Sequence, residues 1–188
     1  MNANASPIGT TIKLSKLEAA RRQLESAITL YFNGGDPVST HTLATACLEI
    51  LCDLNTFRKG SPLASDIDTI PPEHRQKVRV AFRKAQNFFK HADEDPNEVL
   101  DFNPESTTFF MVDAVEKFRE LSGENPPVIR VFALWCRVHW SVVFRNIPKE
   151  NEPYLKLLRS QFPMNDKPMF FAKFLPLYFA ETAKHTAK

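Results

Sequence analysis

Residues 78–96 read VRVAFRKAQNFFKHADEDP, and this stretch decides the fold. Its apolar side chains recur at spacings of four, three, four and three residues, at Val78, Phe82, Ala85, Phe89 and Ala92. This spacing predicts an α-helix with one face packed in a core. Pro96 cannot continue a helix, so we expect the helix to end in the acidic turn 93–95.

The opposite side of the same helix is polar. At 100° per residue, Arg83, Asn87 and His91 fall opposite the apolar stripe. An imidazole titrates near neutral pH, and cationic side chains attract phosphate. The candidate site is therefore Asn87 and His91 for catalysis, with Arg79, Arg83, Lys84 and Lys90 for nucleic-acid contact. The alternative is structural: a hydrogen-bonded Asn–His pair at a helix end, beside a solvated basic face.

Four further helices are predicted from the same kind of spacing, giving five that start near residues 13, 37, 71, 104 and 128. Their ends carry turn and capping residues: Gly34, Asp36, Asn103 and Gly123. No segment combines a strand pattern with its turn chemistry. Short connections favour antiparallel neighbours, so we predict an all-α, up-and-down antiparallel bundle.

The chain divides by composition into three parts. Residues 1–12 are a small, polar lead, residues 13–147 form the bundle, and residues 148–188 are a Pro- and Phe-rich helical appendage. Pro153, Pro163, Pro168 and Pro176 are expected to divide the appendage into short helices, which pack on the bundle or bind another subunit.

The predicted core-facing positions of the bundle include Leu14 and Leu24 in the first helix and Phe57 in the second.

Composition narrows the class of protein. The chain has 188 residues, 43% of them hydrophobic, and a net charge of +2, which fits a globular protein and is too mild to indicate nucleic-acid binding by itself. The N-terminus does not read as a signal peptide, and Arg130, Arg137 and His139 interrupt the most apolar segment, so we expect no membrane association. The three cysteines form no C-x-x-C pair; we expect Cys47 as a buried thiol and a cytoplasmic, reducing compartment.

The predicted topology brings helix ends together. His41, at the start of the second helix, is expected to approach His91 at the end of the third. Asp93 and Asp95 would then offer carboxylates beside the two imidazoles, which is one way to hold a metal ion. A solvated acidic helix end is the commoner structure, so we predict no metal and no cofactor.

Four segments together resemble the HEPN superfamily of helical bundles. The resemblance rests on a first helix with the segments 17–20 and 27–32, a second helix that opens with 41–46, and the segment 87–92. It covers roughly residues 14–145. Active HEPN members are RNases that carry Arg-x4-6-His late in a helix, often with Asn, Asp or His directly after the Arg. They bring two such motifs together across a homodimer.

The resemblance implies a function, but this chain departs from the family's motif. Asn87 and His91 match the pattern, whereas Gln86 stands where the arginine is needed and Arg83 lies too far upstream. We therefore expect a non-catalytic HEPN-like binding or assembly module that contacts RNA or a protein. The alternative is a metal-independent endoribonuclease of a toxin–antitoxin or defence system that uses His91.

A homodimer is also expected. It would form through a second, semi-apolar face, made up of Val80, Asn87, Phe88 and His91 on the third helix and Ala44 and Leu48 on the second.

Overall fold

The computed structural model of the protein describes residues 11–57, 83–93, 96–140 and 148–186. Its helices are α1 (Lys16–Phe32), α2 (Pro37–Phe57), α3 (Thr107–Ser122), α4 (Pro127–His139), α5 (Glu152–Gln161) and α6 (Lys167–Thr186). Residues 83–88 are also helical, and 3-10 turns precede α3 and α5. None of the described residues lies in a strand, so the predicted all-α bundle is confirmed.

The ends of α1 and α2 follow the predicted turn chemistry. Ser15 caps α1, because its hydroxyl oxygen accepts a hydrogen bond from the backbone N–H of Glu18 at 3.1 Å. Gly34 has φ of +65°, a left-handed conformation that a side chain would strain. Asp36 then caps α2 by accepting from the backbone N–H of Ser39 at 2.7 Å. The chain therefore reverses within a few residues, and α1 packs closely along α2.

Three inward positions were predicted wrongly, all of them near helix ends. Leu14 is 46% exposed because α1 begins only at Lys16. Phe57, the last described residue of α2, is 86% exposed. Ala92 is exposed because the helix around residues 83–88 ends before the acidic turn rather than within it. Apolar spacing identified the helices but not where each one stops.

The centre of the core is aromatic. Phe32 at the end of α1 contacts Trp135 of α4, with ring centroids 5.7 Å apart, and stacks on Phe171 of α6 at 4.8 Å. Phe170, also on α6, is completely buried. The C-terminal helices therefore pack on the bundle, as expected, and contribute side chains to its core. Pro176 lies inside α6 instead of ending it, so this helix is longer than the short pieces predicted.

No helix within the described part of the chain combines the length and apolar character needed to cross a bilayer.

Candidate functional site

The residues proposed for catalysis lie at the end of the 83–88 helix. Asn87 and His91 are both exposed, as predicted, and the backbone N–H of His91 donates to the Asn87 carbonyl oxygen at 2.9 Å. Arg83 is exposed as well. Arg79 lies outside the described residues. We call the exposed residues 83–91 the polar edge.

Two lysines of the polar edge form ion pairs. The Lys84 ammonium lies 3.0 Å from a Glu98 carboxylate oxygen, and the Lys90 ammonium lies 3.2 Å from a carboxylate oxygen of Glu49 on α2. Exposed pairs of this kind contribute little to stability. They do reduce the positive potential that a phosphate would meet at this edge.

Gln86, at the position where the HEPN motif carries arginine, points into the protein. Its side chain is only 7% exposed, and its Nε2 atom has no hydrogen-bond partner within the described residues. An arginine at residue 86 would therefore lie on the buried face of the helix, whereas Asn87 on the helix and His91 beyond its end are exposed.

His41 does not form an exposed site with His91. It contacts Phe89, two residues before His91, so the predicted helix ends do adjoin. However, its ring is 1% exposed and is enclosed by Phe89, Phe102 and Phe110, at centroid distances of 5.0–5.7 Å. The predicted approach of the two helix ends stands at Phe89, but His41 is covered by three phenyl rings and offers no exposed imidazole beside His91.

The buried imidazole of His41 is held by one hydrogen bond. Its Nδ1 atom lies 3.0 Å from the hydroxyl oxygen of Thr107, and its Nε2 atom has no partner within the described residues. Burial lowers the pKa of His41 to about 4, because the charged form would lose its hydration. At neutral pH the ring is therefore neutral.

A measurable loss of stability in acid follows from this pKa. The unfolded chain binds a proton at His41 near pH 6.5, whereas the folded protein binds it only near pH 4. The contribution to stability is complete above pH 6.5 and is lost as the pH falls towards 4. We expect a loss of about 3 kcal/mol across this window.

The test compares the wild type with His41→Asn, whose side-chain amide retains a hydrogen-bonding atom near Thr107. Urea unfolding between pH 7 and pH 4 should show a flatter pH dependence for the variant. Carboxylates titrate in both proteins and cancel in the comparison. Equal slopes would contradict the burial of a neutral His41.

Burial shifts the pKa of two other groups in the fold, and one of them, Cys47, is the buried thiol that was predicted. His139 is partly buried with its ring 3.9 Å from that of Trp135, and burial, with Arg159 nearby, lowers its pKa to about 4. Cys47 is fully buried, and burial raises the pKa of its thiol to about 12. A thiol of that pKa is a poor nucleophile at neutral pH.

The described residues contain no cluster of three or more His, Cys, Asp or Glu side chains that could hold a metal ion. Asp95 lies outside them, and His41 is surrounded by phenyl rings rather than by carboxylates. The absence of a metal and a cofactor stays a prediction.

Sequence reasoning missed a buried ion pair on α3. Lys117 is 5% exposed, and its ammonium contacts the carboxylate of Asp113 one turn earlier. The signal was visible as a lysine between Val115 and Phe118, both of which are buried. It was missed because oppositely charged residues spaced i, i+4 on a helix usually form an ion pair on the solvent-exposed face.

The fold defines an all-α helical-bundle protein. Comparisons of the chain with family models, with curated proteins and with solved structures gave no match.

Proposed function

We propose that this protein is a non-catalytic, HEPN-like binding or assembly module whose polar edge contacts RNA or another protein. One observation carries the proposal. The residue at the motif's arginine position, Gln86, is uncharged and buried, while Asn87 and His91 are exposed. Both the RNA or protein partner and the membership of the HEPN superfamily are inferred from the resemblance together with this geometry.

Cleavage of RNA without a metal requires more than an imidazole. A base must take the proton of the 2′-hydroxyl, and a cation must stabilise the charge that develops on the phosphate. His91 is exposed to solvent and so is open to a substrate. The nearby lysines, Lys84 and Lys90, already face carboxylates. Among the described cations of this edge that leaves Arg83, which lies too far upstream for the motif, so stabilisation of the transition state is weak and binding is favoured over catalysis.

The endoribonuclease remains the second candidate, since Asn87 and His91 share one exposed edge. The two are separated by incubating the protein with labelled single-stranded RNA. We expect the RNA to remain intact, with wild type and His91→Ala indistinguishable on a denaturing gel. Cleavage that His91→Ala abolishes would contradict the non-catalytic proposal.

The salt dependence of RNA binding distinguishes an RNA partner from a protein partner. If RNA is bound, its affinity should fall steeply with salt and should fall further in Arg83→Ala. The control variant is Arg22→Ala. Arg22 is an exposed arginine on α1 that forms an ion pair with Glu18 of the same helix. Absence of RNA binding at low salt would leave a protein as the partner of the polar edge.

A homodimer and a cytoplasmic location belong to the same proposal. The α2 side of the expected dimer face is corrected, because Ala44 is fully buried and Leu48 packs against the core. Asn87 and His91 remain available for a contact between copies, which sedimentation velocity would detect. The free thiols of the chain fit a reducing compartment.

A further inference from the structure

The side of α6 that faces away from the bundle carries a stripe of apolar residues. Its inner face carries the buried residues Phe170 and Phe171. On the opposite side, successive exposed residues are spaced three and four apart: Met169, Ala172, Pro176, Phe179 and Ala183. We call these five residues the outer stripe. The Phe179 residue, for example, is 54% exposed to water.

The spacing of the outer stripe suits a helical partner. Alternating steps of three and four residues place side chains along one seam, where the knobs of a second helix enter holes between them. Two of the five residues are alanines, and Ala180 lies beside them, so another backbone can approach closely. From Met169 to Ala183 the stripe extends about 21 Å, which a partner helix of about 15 residues would cover.

The charges beside the stripe are all positive. Lys173 and Lys184 project from the same exposed arc of α6, and neither forms an ion pair with another described residue. The carboxylate of Glu181 lies away from this arc, 2.7 Å from the guanidinium of Arg130 on α4. Within the described residues 169–184, no other acidic side chain is present.

We propose that the outer stripe binds an amphipathic helix of a protein partner, whose apolar seam is flanked by Asp or Glu. Such a helix would pair its carboxylates with Lys173 and Lys184 while its apolar side chains enter the spaces beside the alanines. Two copies of α6 would bring their lysines together, which disfavours self-association. Alanines and a proline insert little apolar volume into a lipid surface, which disfavours a membrane. The stripe is distinct from the polar edge, so the RNA experiment leaves this proposal untouched.

The test uses two designed peptides that share one apolar heptad seam. One carries Glu at the flanking positions and the other carries Lys. Fluorescence anisotropy should show that the Glu peptide binds the wild-type protein about tenfold more tightly, since each flanking pair changes from repulsive to attractive. In the double variant Lys173→Glu/Lys184→Glu the preference should reverse.

A second variant tests the seam itself. Ala172→Gln places a longer polar side chain on the exposed outer stripe and should abolish binding of the Glu peptide. Leu157→Gln, at an exposed leucine of α5, is the matched control and should bind as the wild type does. Circular dichroism of each variant checks that the helices are retained.

Three results would overturn the proposal. Equal binding of the two peptides, or no binding of either, would remove the charge-complementary helix. A dimer in sedimentation velocity that Ala172→Gln dissociates would make the partner a second copy. Co-sedimentation with phosphatidylserine vesicles, lost in Phe179→Glu, would make it a lipid surface.

Discussion

Replacing Phe170 with alanine is expected to lower the free energy of unfolding by about 3–5 kcal/mol. Phe170 is completely buried, and its ring lies 5.0 Å from that of Trp135, 5.4 Å from that of Phe162 and 4.5 Å from that of Phe174. The substitution removes most of an aromatic side chain from a place where three elements meet. A loss of this size is a large part of the ~5–15 kcal/mol that keeps a typical domain folded.

Phe179→Ala is the matched control, because it makes the same substitution on the same helix at an exposed position. We expect it to change the free energy of unfolding by less than about 0.5 kcal/mol. Urea unfolding followed by circular dichroism measures both variants. Equal and small effects would mean that α6 rests on the bundle without contributing to its core.

This prediction also bears on the division of the chain by composition. The prolines of residues 148–188 indicated an appendage, and the apolar residues between them indicated packing. Sequence alone could not say that Phe170 would stack among Phe32 and Trp135, since these residues come from helices far apart in the chain. Periodicity describes one helix at a time, whereas the core depends on which faces meet.

Local features were predicted best. The positive φ of Gly34, the helix end at Gly123 and the cap formed by Asp36 depend on neighbouring backbone atoms only, and all three were predicted from residue type. The errors at Leu14 and Ala92 arise because a stripe of apolar residues continues past the end of the helix that uses it. Hydrogen bonding, which the stripe does not report, decides the end.

The candidate site was predicted in part for the same reason. The exposure of Asn87 follows from helix geometry, whereas His91 is exposed, as predicted, at a position beyond the end of the helix. The enclosure of His41 could not be predicted from its own helix, because Phe102 and Phe110 approach it from the irregular segment before α3 and from α3 itself. A polar residue on an apolar face marks either a site or a buried hydrogen bond, and only tertiary contacts decide between them.

The buried ion pair on α3 leads to the second large effect. Asp113→Ala should lower the free energy of unfolding by about 3 kcal/mol, because it leaves the Lys117 ammonium buried without a counter-charge. This loss is at the low end of the ~3–5 kcal/mol that breaking a buried ion pair usually costs, since the Asp113 side chain is 28% exposed. The exposed pair of Lys156 and Glu152 has the same i, i+4 spacing, and Glu152→Ala should cost no more than about 0.5 kcal/mol.

Lys117→Met separates the loss of the pair from the presence of an unpaired charge. Methionine fills a similar volume without a charge, so this variant should be within about 1 kcal/mol of the wild type, or more stable. The double variant Asp113→Ala/Lys117→Met should then recover most of the stability that Asp113→Ala loses. Urea unfolding of the four proteins completes a double-mutant cycle, and its coupling free energy is the test. Additive effects in that cycle would mean that the ammonium of Lys117 reaches water in solution, and that burial does not make this pair differ from the one at the surface.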